Sequence, residues 1–168
     1  MLVEVKKRSI SFVKKIGLLM YTREEKRAYR IQFWEGFKEY SKNKGRKMTS
    51  WVLKGTQINE AQLKFDLNNK GAFVMLQIDS KSAVKRHSVF DRFLKFKPVV
   101  QEICGEEIVW DKNYFIEGFK EVSVIYFQMK RASVYNKENW EEYYQFLFEK
   151  MNLLEEAYLE IKEVVQNG

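Results

Sequence analysis

The 168-residue sequence holds one cysteine, one histidine and one proline. A lone cysteine has no second thiol for a disulfide, and Cys104 with His87 falls short of the four ligands of a structural zinc site. No Ser–His or Cys–His pair can be built without His87. That residue stands beside Lys85 and Arg86 with no carboxylate near it in sequence, so it reads as a surface or half-buried helix position. Gly55 and Gly71 are isolated, and neither standard glycine-rich phosphate loop occurs. No apolar run approaches the roughly 20 residues of a membrane span. The absences together predict a cytoplasmic protein with no membrane partner, cofactor or metal. What is present, 45% apolar and 15% aromatic residues, is enough to fill one core and too hydrophobic for disorder.

Charge is divided along the chain. Residues 1–105 carry 23 basic and 10 acidic side chains, net +13, and residues 106–168 carry 7 and 13, net −6. Such a split steers one side of a molecule toward an anionic partner. Residues 1–19 hold Lys6, Lys7, Arg8, Lys14 and Lys15 against Glu4 alone. They form a basic N-terminal extension, read either as an amphipathic arm or as upstream sequence ahead of a start at Met20. Thr22 with Glu25 three residues on is a capping box, which favours the second reading, and Tyr21 is placed to staple it.

Ala28, Ile31, Phe33, Trp34, Phe37 and Tyr40 recur at helical spacing from Thr22 to about Lys42, and Gly45 supplies a left-handed stop. Residues 42–54 contain Lys42, Lys44, Arg46, Lys47 and Lys54 without an acid, a basic loop. Ala61 to Leu67 alternates, Asn68-Asn69-Lys70-Gly71 is turn chemistry, and Phe73 to Asp79 alternates again, so a hairpin is predicted with Leu63 opposite Leu76 or Ile78. Ser80 or Ser82 caps a helix with core positions Val89, Phe93, Phe96, Val100 and Ile103, which Pro98 must kink or split. Glu107 to Phe115 and Val122 to Met129 make a second hairpin, with Arg131 to Tyr135 as an extension of its ladder. Asn136 caps a last helix, or two in series, on the stripe Trp140, Tyr144, Leu147, Met151, Leu154, Tyr158, Ile161 and Val165. The order helix, hairpin, helix, hairpin, helix predicts a single α+β domain over residues 20–168, an antiparallel sheet of about four strands with helices packed on one face.

Met20-Tyr21-Thr22-Arg23-Glu24-Glu25 with Phe33-Trp34, the strands Val74-Met75-Leu76-Gln77-Ile78 and Val122-Ser123-Val124-Ile125-Tyr126, and Tyr135-Asn136-Lys137-Glu138-Asn139-Trp140 with Phe146-Leu147 resemble the bacterial and archaeal family called domain of unknown function 4268, from Met20 to about Val165. The resemblance implies an α+β domain without an assigned activity, found alone or behind nuclease-like and restriction-associated domains. It supplies no catalytic residue. Many members have an Arg before the Ile-Tyr pair, where this chain has Val124.

Two constellations compete for a function. Lys81, Lys85, Arg92 and Lys95 fall within an arc of about 80° on a helix of 3.6 residues per turn. With Arg46 and Lys47 on the preceding loop they are the candidate nucleic-acid-binding residues of a non-enzymatic accessory module, its phosphate contacts releasing counterions. No helix-turn-helix, zinc-finger or RNA-recognition signature accompanies them, so sequence-specific readout has no support. DNA or RNA is the expected partner, with a nuclease-system protein as another and a homodimer as a further candidate. The alternatives are a purely structural interaction domain, which a large exposed apolar patch would favour, and a divalent-metal-dependent nuclease using Glu60 or Asp66 with Asp79 and Lys81. Asp66 sits roughly 13–20 Å along the hairpin from Asp79 at 3.3 Å per residue. Glu60 lies opposite Asp79 in the register that pairs Leu63 with Leu76.

Overall fold

The computed structural model describes residues 21–53, 55–116 and 118–168. The expectations for residues 1–19 and for a start at Met20 lie outside these. The chain divides into two compact units, Met1–Phe37 and Lys38–Gly168, and helix α1 (Arg23–Asn43) begins in the first. There the capping box closes as the spacing predicts. The Thr22 N–H donates to Glu25 Oε2 at 2.7 Å and the Glu25 N–H donates to Thr22 Oγ1 at 3.2 Å, which satisfies two donors that a helix start otherwise leaves unpaired. Tyr21 meets Tyr29 edge-on with ring centroids 5.1 Å apart. Phe33 and Phe37 are buried, whereas Ala28 and Ile31 are exposed.

In the second unit, α1 stops in a Schellman motif. The Gly45 N–H donates to the Lys42 carbonyl at 2.9 Å and the Arg46 N–H to the Ser41 carbonyl at 2.8 Å, with Gly45 at φ +83°. Only a residue without a Cβ takes that conformation freely. The basic loop that follows contains one short 3-10 turn, Met48–Ser50.

Strands β1 (Ala61–Asn68) and β2 (Gly71–Ile78) pair with Leu63 opposite Leu76, the first of the two registers that bring the apolar side chains together. Helix α2 (Ala83–Leu94) starts from Ser82, whose Oγ accepts the Lys85 N–H at 3.3 Å. Pro98 splits the next segment from it. Helix α3 (Lys97–Cys104) carries Pro98 in its first turn, where no intrahelical N–H is required. Val89, Phe93 and Val100 are core as expected and Phe96 and Ile103 are half-buried, while Phe90 and Cys104 join the core. Strands β3 (Val109–Ile116) and β4 (Lys120–Met129) form the second hairpin. Residues 131–135 do not extend it. Arg131 takes φ +67° and turns the chain away from the ladder. The Asn136 side chain does not cap the last helix either, since it precedes a short 3-10 turn, Lys137–Asn139, without a side-chain cap bond. Helix α4 (Trp140–Asn167) is one continuous helix of 28 residues, about 42 Å long.

These elements make a four-stranded antiparallel sheet in the order β1-β2-β4-β3. Leu76 and Ile125 from one sheet face meet Phe93, Val100, Leu154 and Tyr158 from α2, α3 and α4, each buried side chain contributing about 1.5–3 kcal/mol. The expected stripe on α4 is buried from Tyr144 to Val165, with Trp140 half-buried at its start. The opposite sheet face holds a second cluster of Phe73, Met75, Val122 and Val124, flanked by Tyr114, Ile116 and Tyr126. Strand β2 is therefore buried along its whole length.

Candidate nucleic-acid interface

Helix α2 turns Arg86, Val89, Phe90 and Phe93 inward. Its outer side borders an open depression of about 520 Å³ lined by Val84, His87, Ser88, Asp91, Arg92 and Lys95, with Gly168 at its edge. The predicted stripe is shorter as a helix feature than its spacing suggests, because Lys81 precedes the Ser82 cap and Lys95 is the C-cap residue. Lys81, Lys85 and Lys95 are exposed and Arg92 is half-buried.

Their charges are not equally available. Lys85 pairs with Glu60. Arg92 Nη1 donates to the Val165 carbonyl at 2.6 Å at the end of α4, so it faces the partial negative charge of a helix C-terminus. Among the described residues Lys81 and Lys95 have no acidic partner. Arg46 is held elsewhere: Nη1 donates to Asn152 Oδ1 at 2.6 Å, Nη2 pairs with Glu155, and the guanidinium lies 4.9 Å from the Trp51 ring centroid. Glu155 is 6% exposed and also accepts the Val52 N–H at 2.6 Å. Arg46 therefore fastens the basic loop to α4 with its side chain half-buried. Lys47 beside it is exposed and has no acidic partner among the described residues.

Beneath α2 lies a polar network that spacing alone did not show. Arg86, 4% exposed, pairs with Glu121 Oε1 at 3.1 Å and approaches His87 Nε2 at 3.3 Å. The same His87 nitrogen lies 3.0 Å from Asn113 Oδ1. One ring nitrogen serves a single bond at a time, donating to Asn113 when protonated or accepting from Arg86 when bare. Lys112 spans both oxygens of Asp91 at 2.7 and 2.8 Å. The β3 register shift between Asp111 and Tyr114 is what presents Lys112 and Asn113 to the helix, as a bulge re-aims side chains.

The residues of the metal-nuclease alternative are also placed. The Asp79 N–H donates to the Glu60 carbonyl at 2.8 Å, so Glu60 and Asp79 are neighbours across the hairpin, as this register requires. Each carboxylate nevertheless holds its own ammonium, Glu60 that of Lys85 and Asp79 that of Lys120. Asp66 lies opposite Phe73 and accepts the Leu67 N–H and the Asn68 amide, at 2.9 and 2.8 Å. Among the described residues no three His, Cys, Asp or Glu side chains are grouped to hold a metal ion. Cys104 donates to the Leu153 carbonyl at 3.6 Å, and burial pushes its thiol up to about 12, so it carries no thiolate at neutral pH. Among the described residues no helix is long and apolar enough to cross a membrane.

The hydrogen bond from Lys85 holds the Glu60 carboxyl below its ordinary range. A lowered folded-state pKa stabilises the fold above the unfolded value, and that contribution is lost as pH falls through the folded value. Lys85→Met is therefore less stable than the parent at pH 7. The gap in urea midpoint narrows once pH drops below the ordinary glutamate pKa of about 4.3. A gap that stays constant from neutral to acid pH would show that the ion pair carries no such linkage.

The sequence profile described as Domain of unknown function (DUF4268) matches residues 29–162, a shorter span than the Met20 to Val165 expected from the resemblance. No curated protein matches the chain. No solved structure matches it either.

Proposed function

Because the chain belongs to the domain of unknown function 4268 family, whose description assigns no chemistry, we propose a role argued from its surface: a non-enzymatic module that binds nucleic acid along the outer side of α2. The single observation that carries this reading is the set of uncompensated cations there. Among the described residues Lys81 and Lys95 have no carboxylate partner, and Arg92 donates to backbone carbonyls at the end of α4 and acts on the Glu60 carboxylate only through space. The other two cations on this element, Lys85 and Arg86, are neutralised by Glu60 and Glu121. Uncompensated cations along one helix make a row of phosphate contacts that releases counterions on binding. Val84, Ser88 and the flanking depression leave room for a backbone to approach. Lys47 adds a further free charge on the loop before the sheet. Asp91 is the one acid in the row, and Lys112 already neutralises it. A module of this kind works by holding its ligand for a partner protein, which suits a nuclease-system accessory.

The test is a salt titration of binding to DNA by fluorescence anisotropy. The parent protein binds at about 50 mM salt and loses affinity toward 200 mM. Lys81→Gln with Lys95→Gln weakens binding and lowers the slope of log K against log salt by about 2. A parent chain that binds no nucleic acid at low salt, or a double variant with an unchanged slope, overturns the reading.

A further inference from the structure

Helix α2 sets out from the sheet end where the β3–β4 hairpin turns. The turn carries an aromatic ring in an unusual place. Phe119 is 93% exposed, the most exposed large apolar side chain among the described residues, ahead of Val84 at 81%. It also takes φ +63°, directly after Gly118 at φ +85°. A turn position with positive φ ordinarily selects Gly, Asn or Asp. A phenylalanine here is strained in its backbone and leaves its ring in water, two unfavourable terms at one residue. Backbone strain of this kind concentrates where a protein meets its ligand. Phe115 on the adjoining strand is 56% exposed.

In sequence this ring stands two residues after Glu117 and one before Lys120. Lys120, next in sequence, is tied to Asp79, which fixes the hairpin tip to the segment leading into α2. Lys81, two residues beyond Asp79, has no acidic partner among the described residues. The tip therefore joins an exposed aromatic to the segment that carries Lys81 into α2. That combination fits a polyanion with flat apolar faces. In a duplex the base faces are stacked and hidden, and a wedge into it must unstack a step. In a single strand each base offers its π-face without that cost.

Resting on the reading of α2 as a nucleic-acid surface, we propose that Phe119 is a base-stacking contact that makes this surface prefer single-stranded over duplex nucleic acid. Phosphates follow Lys81, Arg92 and Lys95 along the helix, and one base stacks on the ring at the hairpin tip.

Binding of an oligothymidylate of about 16 nucleotides and of a duplex of the same length is compared by anisotropy, using the full chain. The parent binds the single strand more tightly. Phe119→Asn, whose side chain suits positive φ, lowers affinity for the single strand about 10-fold and changes duplex affinity by less than about 2-fold. Phe119→Tyr keeps the stacking face and stays within about 3-fold of the parent for the single strand. Lys81→Gln with Lys95→Gln weakens both ligands. Equal single-strand affinity for Phe119→Asn and the parent overturns the stacking role and leaves the cationic surface standing, and so does a larger loss on duplex. If the parent binds neither nucleic acid but does bind vesicles containing phosphatidylglycerol, both this inference and the reading beneath it fall.

Discussion

Gly71→Ala destabilises the protein by about 3 kcal/mol, the largest effect expected of one added methyl group. Gly71 opens β2 at φ +127°, where an L side chain is strained, and a Cβ built there would lie 2.1 Å from the Met129 carbonyl oxygen. The obstacle is backbone throughout, with Met129 C at 3.1 Å and Lys130 Cα at 3.2 Å. No rotamer change relieves it. Either the first hairpin turn or the end of β4 must move, and both belong to the two central strands of the sheet. For a chain of this size the loss corresponds to roughly 6–12 °C in Tm. Gly55→Ala is the control, since nothing lies within 4 Å of a Cβ there, and its Tm should match the parent. Equal midpoints for Gly71→Ala and Gly55→Ala would show that the β2–β4 junction yields freely.

The second large effect concerns Arg46 and Glu155. Arg46→Met leaves a carboxylate that is 6% exposed with the Val52 N–H but without its cation, at a cost of about 3 kcal/mol. Glu155→Leu alone strands a half-buried guanidinium that still reaches Asn152 and costs less. The double variant Arg46→Met with Glu155→Leu recovers much of the first loss, because a buried ion pair is worth little against apolar groups of similar volume. Urea unfolding of all four proteins closes the cycle. Additive effects would show that the two charges do not act on one another. The cycle also separates structure from binding: Arg46→Met should lower stability and leave the salt slope for DNA unchanged, unlike Lys81→Gln with Lys95→Gln.

The local parts of this architecture were legible in the residues. The Thr22–Glu25 box and the Gly45 stop are read outright, while the cap (Ser80 or Ser82), the hairpin register (Leu63 opposite Leu76 or Ile78) and the effect of Pro98 (kink or split) are each narrowed to two, because all depend on neighbours within a hairpin or a turn. Contacts between distant segments were not. Strand β2 reads as alternating, yet Phe73, Met75 and Gln77 are buried as well, because β4 arrives beside it and brings Val122 and Val124. Nothing in the run Arg131 to Tyr135 announces that Arg131 reverses the chain. The same holds for the candidate site. Helical spacing placed Lys85 and Arg92 on one side of α2. It could not show that Lys85 is claimed by Glu60, 25 positions earlier, or that Arg46 is claimed by Glu155, 109 positions later. A cation is free only when the tertiary structure brings no acid to it, and a linear pattern holds no such information. Phe119 falls between the two strands of the second predicted hairpin, but its exposure and its positive φ belong to the folded hairpin.

The borders of the sheet have a consequence for self-association. Along β1, Ala61 gives its N–H to the Ile58 carbonyl at 2.9 Å and Leu63 gives its own to Leu53 at 3.0 Å. Leu67 gives its N–H to the Asp66 side chain, so most donors on that rim are already spent. On the far rim the irregularity in β3 breaks the rhythm that a docking strand would need to follow. Lateral growth of the sheet into ribbons or fibrils therefore finds few open donors along β1 and an interrupted ladder along β3.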